Sequence, residues 1–340
     1  MTQVVTIGLD IAKSVFQLHG VDAAGAVLLR KRLPRSRMLA FFEKLAPCLI
    51  GIEACGSAHY WGRELSRLGH DVRLIPPSYV KPYVKRQKND AADAEAICEA
   101  VTRPSMRFVP IKAPEQQSTM VAHRTRSILT RQRTQLSNAI RGHMAEFGLV
   151  APVGRNGLEI LISAINDTSD ERVPSAARTS LLMLVTQLRL VNQQILESDR
   201  CIIASARSTE VGKRLMGIPG VGPVLASALV AIITDPKSFS SGRNLAAWIG
   251  LVPRQNSSGG KERLGGITKQ GDRYLRQLLV VGAVAVIRHA QRNGARRPWL
   301  VQLLARRTPK VAAVALANKN ARMVWAIMTS GERYRDPLAA

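Results

Sequence analysis

From Val4 onward the chain reads VVTIGLDIAKSVFQLHGVDAAGAVLLRKRL, short apolar runs broken by polar residues. This pattern predicts strands separated by short turns, with Gly20 to Gly25 making the second turn. Arg37 to Leu45 has helical spacing, and CLIGIEA is a buried strand ending on Glu53. Ala58 to Leu68 places Trp61, Leu65 and Leu68 on one helical face, and DVRLIPP is a further strand. A β-meander followed by alternating helix and strand predicts an α/β domain with a mixed sheet, assigned to residues 1–110.

Beyond Pro110 the alternation stops. Glu115 to Phe147 holds few strand formers and no glycine before Gly142, which predicts a long basic helix. A Gly/Pro/Asn-rich interruption spans Val150 to Gly157, and a second helical stretch runs from about Ser175 to Ala206. Two long helices joined by a looser segment predict a helical hairpin or coiled-coil arm over residues 111–210, either for dimerisation or as a plain connecting bundle. Residues 211–340 open with LMGIPGVGPVLASALVAII, pass through an Arg/Asn/Gly-rich stretch to Gly271, and continue as apolar helices interrupted by basic residues, a mostly helical third domain.

Charge narrows the function. With 49 Lys+Arg against 24 Asp+Glu the formal net charge is +25 in 340 residues, which points to a polyanionic partner, nucleic acid first. Between Arg273 and Gly331 there is no acidic residue at all, a one-signed stretch suited to phosphates. No apolar run reaches the roughly 18 residues of a membrane span. The N-terminus lacks a secretory pattern, and Cys48, Cys55, Cys98 and Cys201 show no zinc-site spacing. The expectation is a cytoplasmic protein, with no membrane partner and no structural zinc. The six histidines are dispersed without paired helical spacing and read as packing or surface residues.

Against this basic background the acids stand out. Asp10 closes the strand VVTIGLD and Glu53 closes CLIGIE, where desolvating an unpaired carboxylate is costly. Asp90 and Asp93 lie one helical turn apart in KNDAADA, directly after Lys88. Four carboxylates brought together would repel unless cations intervene, and two Mg²⁺ ions would satisfy both the charge and phosphodiester chemistry. Surface charges or helix caps are the plain alternative for any one of them.

Two glycine-rich segments follow. Gly217 to Gly222, GIPGVG, has the Gly-h-x-Gly-h-Gly pattern of a helix-hairpin-helix, whose Gly220, Val221 and Gly222 amides would approach a phosphate. GLVPRQNSSGGKERLGGITKQG carries Ser257 and Ser258 beside Lys261 and Arg263, a serine that could act as nucleophile with cations at hand, or an ordinary turn serine. Lys269, Arg273 and Arg276 continue the basic character into the next helix.

Taken together, GLDIAKS, GIEACGSAHYW, KNDAADA, GIPGVG and GLVPRQNSSGGKERLGGITKQGDRYLR resemble the DEDD-type transposases of the insertion sequence one-ten family, related to the Piv-type DNA invertases. The resemblance covers nearly the whole chain. It implies an N-terminal RuvC-like domain of RNase H-type fold, a helical arm and a C-terminal transposase domain. It implies that Asp10, Glu53, Asp90 and Asp93 are the metal-binding tetrad and that Ser258, with Ser257 as its neighbouring rival, forms a phosphoserine link to DNA in a site completed by the tetrad. It also implies donor and target DNA and a structured non-coding guide RNA as partners, a dimer or tetramer as the working assembly, and a place on the bacterial nucleoid. No P-loop is present to supply an energy cofactor, and the phosphoserine would conserve the bond energy. The rival classes are a metal-dependent junction nuclease that activates water and a non-catalytic nucleic-acid-binding protein.

Overall fold

A computed structural model of the chain describes residues 3–85, 89–293 and 298–335. The chain divides into two units, Met1–Pro114 and Glu115–Ala340.

The first unit is built on five strands, β1 (Thr6–Ile11), β2 (Val15–Val21), β3 (Val27–Pro34), β4 (Leu49–Glu53) and β5 (Asp71–Ile75), in the order β3-β2-β1-β4-β5. The first three form the expected antiparallel meander, and β4 and β5 run parallel to β1. The second turn is tighter than the glycine spacing implies. Gly20 stays inside β2, and the chain reverses at Asp22, whose carboxylate accepts from the amides of Ala24 and Ala26.

Period-two alternation sends Ile7, Leu9, Phe16, Leu18, Ile50 and Ile52 to one face, all 2 % exposed or less. There they pack against α1 (Met38–Phe42) and α2 (Ala58–Arg67), with the Phe16 and Trp61 rings edge to face at 5.0 Å. The helix expected from Arg37 to Leu45 is a 3₁₀ turn, Arg35–Arg37, followed by the short α1. After β5 come α3 (Pro77–Val80) and α4 (Asp90–Val101), and α4 covers the other face of the sheet. The result is a three-layer α/β/α arrangement around a mixed sheet.

The second unit is helical. In it α5 (Pro114–Glu146) and α7 (Ser175–Ser208) run antiparallel: Ile140 and Met144 share a core with Leu181, Val185 and Leu188, while Arg126 pairs with Asp199 nearer the opposite ends. Buried positions on α7 recur at spacings of three and four, from Arg178 and Leu181 through Val185, Leu188, Val191 and Ile195. The segment between the long helices is more ordered than its composition suggests, because it contains α6 (Arg155–Asn166). The Arg178 guanidinium secures it by donating to the carbonyls of Ala164, Ile165, Asp170 and Val173. Those donations satisfy carbonyls at the end of α6 and in the following loop, Asp170 O accepting from the Val173 amide as well.

The rest of the unit comprises α8 (Glu210–Met216), α9 (Pro223–Ile232), α10 (Gly242–Ile249), a hairpin of β6 (Pro253–Gln255) and β7 (Leu264–Ile267), then α11 (Arg273–Asn293), α12 (Pro298–Arg306) and α13 (Pro309–Ser330). Its core is lined by small and branched residues, among them Leu229, Leu245, Leu275, Leu279, Ala317 and Val324, each fully buried. Among the described residues no helix is long and apolar enough to cross a membrane.

Candidate functional site

The sheet places the first two acids. β1 and β4 are parallel neighbours whose register pairs Gly8 with Gly51 and Leu9 with Ile52, so Asp10 and Glu53, the next residue on each strand, stand at the same edge of the sheet. Strand periodicity puts Gly8 and Asp10 on the face opposite Leu9, and Gly51 and Glu53 likewise. That is the face α4 covers. A Cβ added at Gly8 would fall well inside van der Waals contact of Ala94 O and Cys98 N, and one at Gly51 would lie 2.8 Å from Val101 Cβ. The helix therefore rests backbone-close on the strands, and its first turn hangs over the strand ends.

Asn89 caps that turn, its side-chain oxygen accepting from Ala92 N at 2.8 Å. Asp90 and Asp93 follow in the first turn, where the helix dipole favours negative charge. The outcome is convergence: one carboxylate oxygen from each of Asp10, Asp90 and Asp93 lies within 4.8 Å of the others. The structure thus joins three of the four expected acids. Glu53, half-buried on the adjacent strand, is outside that group of three, and Lys88 lies outside the described residues. Three carboxylates at this spacing, from a strand end and one helical turn, form an all-oxygen donor set that fits a hard divalent cation.

Next to these acids the sheet carries a buried histidine. His19 is 6 % exposed, and burial lowers its pKa against the pull of Glu95. Glu95 is itself held low, first by the hydrogen bond from Lys85 Nζ at 2.9 Å.

In the second unit the serine segment is a hairpin, which the polar sequence did not reveal. Asn256 N donates to Arg263 O, Lys261 N donates to Ser258 O at 3.1 Å, and Gly259 and Gly260 have φ of 56° and 76°. Two consecutive positive φ values make a two-residue turn of the mirror-image kind that closes hairpins. The Gly-Gly pair was the available signal, masked because the flanking residues do not alternate.

The two serines are distinguished by their partners. Ser257 Oγ accepts from Arg263 N at 3.2 Å, whereas Ser258, exposed at the hairpin tip opposite Lys261, has no side-chain hydrogen bond among the described residues. Lys261 and Arg263 are exposed on the returning side of the same hairpin, and Lys269 and Arg273 are exposed beyond its root.

Arg276 sits differently. Its Nη1 donates to Ile249 O and to Gln270 O, each at 2.7 Å, tying the end of α10 to the segment that follows β7. At the same root a Cβ on Gly271 (φ 70°) would collide with Trp248 O, and one on Gly250 with Gln270 O. In the turn between α8 and α9, Gly222 is exposed, Gly220 (φ 91°) abuts Gly282 of α11, and Val221 is buried with its amide donating to Ile218 O.

A buried polar chain not foreseen from the sequence braces α11. His123 of α5, 1 % exposed, bonds through Nδ1 to the Tyr274 hydroxyl at 2.9 Å and through Nε2 to Ser227 Oγ at 3.1 Å. Burial, reinforced by Arg126, lowers the His123 pKa to about 4, so the ring is neutral at pH 7.

A mixed sheet with acids at parallel strand ends, met by acids on a covering helix, is the arrangement of an RNase H-like nucleic-acid enzyme. Comparison with known proteins agrees. Residues 7–148 match the DEDD transposase model of the IS110 group, and residues 212–297 match the model described as transposase IS116/IS110/IS902 family. The chain is 50% identical to the Pseudomonas aeruginosa protein named "Probable family 20 transposase", over 97% of this chain and 98% of that one. It is 40% identical to the transposase for insertion sequence element IS1111A of Coxiella burnetii, over 98% and 92% of the two chains. To the transposase for insertion sequence element IS1328 of Yersinia enterocolitica it is 39% identical, over 97% and 98%. The chain belongs to the IS110/IS116/IS902 family of insertion-sequence transposases and is a DNA transposase dependent on a divalent metal.

Proposed function

We propose that this transposase cuts and rejoins DNA through a covalent phosphoserine at Ser258, with Mg²⁺ on the tetrad of Asp10, Glu53, Asp90 and Asp93. In this reading a structured non-coding RNA from its own element guides the choice of donor and target DNA. The working form is a homo-oligomer, dimer or tetramer, acting on the bacterial nucleoid.

The observation that carries the metal half is the convergence of Asp10, Asp90 and Asp93 within 4.8 Å. Asp10, Asp90 and Asp93 would hold Mg²⁺ there, and the ion would supply polarisation of a phosphoryl oxygen and charge stabilisation in the transfer. The carboxylates would provide hard oxygen ligands, and Glu53, on the strand beside Asp10 but outside the converging three, would join them as the fourth acid of the proposed tetrad.

Ser258 is the better nucleophile of the serine pair, because Ser257 already accepts a hydrogen bond within the hairpin. Ser258 Oγ attacks the phosphorus and passes its proton to solvent water as the P–Oγ bond forms, and the departing DNA oxygen takes one up from solvent to leave as a hydroxyl. The scissile P–O bond breaks, and its oxygen leaves with the other DNA end. Attack by a new DNA hydroxyl on the phosphoserine reverses the exchange, so one phosphodiester is kept throughout and no nucleotide is consumed. Lys261 and Arg263, exposed in the same hairpin, would neutralise the phosphate.

Binding is assigned to the basic surface. Lys88, Lys269, Arg273 and Arg276 would contact phosphates, together with the exposed Gly222 amide of the turn read as a helix-hairpin-helix, while Gly220 and the buried Val221, its amide on Ile218 O, would shape that turn. Arg276 retains donors beyond its structural Nη1 for this purpose. The net charge of +25 leaves room for a guide RNA as well as DNA.

The test is a recombination assay with purified protein, junction DNA and the element's flanking RNA. Asp10→Asn, Ser258→Ala, chelation or omission of the RNA should each lower recombination by about a hundredfold or more, with DNA binding by both variants kept. Recombination that survives Asp10→Asn or Ser258→Ala refutes the mechanism, and indifference to the RNA refutes the guide.

A further inference from the structure

We infer that the cleft between α4 and the outer strands β2 and β3 is a subsite for the DNA strand flanking the cleaved bond, with Arg32 gripping a neighbouring phosphate. The inference rests on the reading of the carboxylate group as the phosphodiester-cleaving metal site.

Register builds the cleft. On the face under α4, Asp10 is paired with Gln17 across the β1/β2 ladder, and Gln17 with Arg32 across β2/β3. One lateral row therefore runs from acid to amide to cation, starting at a carboxylate of the metal group. Interstrand spacing of about 4.8 Å sets the Arg32 backbone roughly 10 Å from that of Asp10, within reach of a phosphate further along a strand centred on the acids. The next row pairs Gly8 with His19 and His19 with Arg30.

Above these rows α4 presents Ala91 and Ala92, whose small side chains leave a cleft of about 340 Å³ lined also by Asn89 and Glu95. The cleft has the size and polarity for a sugar-phosphate segment with part of a base. Gln17 and Asn89 offer amide groups able to donate or accept at its two edges.

The charges inside the cleft are not equivalent. Glu95 accepts from Lys85 at 2.9 Å and lies 3.9 Å from Arg30, so those two cations already face an anion. Arg32 has no ion-pair or hydrogen-bond partner among the described residues and is exposed at the mouth. Its planar fork suits a phosphate, and its position in the acid row fixes which phosphate it meets.

The experiment uses the full chain with junction DNA in which single phosphates near the cleaved bond are replaced, one at a time, by neutral methylphosphonates. Binding is followed by fluorescence anisotropy at several salt concentrations, and cleavage with Mg²⁺ is followed in parallel. In wild type, one replacement close to the cleaved bond should cost about tenfold in affinity. Arg32→Gln should lose about tenfold on unmodified DNA, lower the salt slope by about one, and become indifferent to that same replacement. Arg32→Lys should restore most of the affinity, and unchanged thermal melting would exclude misfolding.

If Arg32→Gln responds to every replacement as wild type does, or only guide-RNA binding falls, the subsite is wrong. The underlying reading is judged separately by Asp10→Asn. Cleavage that persists there overturns the metal site, whereas a cleavage-dead Asp10→Asn beside an unaltered Arg32→Gln overturns the subsite alone.

Discussion

The two groups proposed to carry the chemistry of this transposase are supported in opposite ways. The carboxylates sit where a strand end meets a helix, with the helix backbone pressed against Gly8 and the acids oriented by buried neighbours on both sides. Ser258 sits at the tip of an exposed two-stranded hairpin that is fixed at its root by the Gly250/Gly271 crossing and the Arg276 clamp. Metal ligands must hold their mutual distances to a fraction of an ångström, and a sheet with a docked helix does that. The role proposed for Ser258, joining to DNA, needs reach and solvent access, which an exposed hairpin provides.

The sharpest way to break the comparison is at Gly8. Gly8→Val should force α4 off β1, destabilise the first unit by about 3 kcal/mol and abolish metal-dependent activity. A variant that melts like wild type and stays active would show that the close docking is dispensable. Gly271→Ala is the matching change at the hairpin root, combining a φ of 70° with a clash on Trp248 O. It should cost about 1–3 kcal/mol in the second unit and sharply reduce serine chemistry. Divalent-ion binding, read by titration calorimetry, should be unchanged. Loss of ion binding would mean that the two supports are coupled.

A smaller effect probes the brace behind the hairpin. His123 has its folded-state pKa lowered to about 4, so an unfolded chain binds more protons than the folded one between pH 6.5 and 4. The His123 contribution is present above pH 6.5 and is lost as pH falls, with a limiting slope of about one proton. Denaturant titrations of wild type and His123→Gln across that range should show the variant's slope flattened. Equal slopes would remove His123 from the account.

The smallest effect is chemical labelling. Burial raises the Cys48 and Cys98 thiols to about 11, while Cys55 and Cys201 are exposed, so native protein should react at two cysteines of its four. Rapid reaction at Cys98 would show α4 lifting from the sheet.

Much of this was legible from residue types. The apolar pattern signalled the strand meander from Val4, and CLIGIEA and DVRLIPP end within two residues of β4 and β5, while the acids at strand ends announced themselves by breaking apolar runs. What could not be read was the reason those acids meet. GLD and GIE share a glycine two residues before the acid, yet the need for glycine arises only from the covering α4, a contact of Gly8 with Ala94 and Cys98 that no local pattern encodes. The hairpin was missed because QNSS and KERL are exposed on both faces, which removes the period-two signal. His123 looked incidental because its partners Ser227 and Tyr274 are 104 and 151 residues away. Arg276, which sequence reading offered only to phosphate, also proves to be a clamp on two backbone carbonyls.

The most direct test is to incubate the protein with Mg²⁺, flanking RNA and end-labelled junction DNA, denature it, and look for labelled protein. The account predicts a denaturation-resistant adduct in wild type, none in Ser258→Ala, and none in Asp10→Asn. Cleavage by both wild type and Ser258→Ala with no adduct would contradict it, and would mean that the carboxylate group activates water.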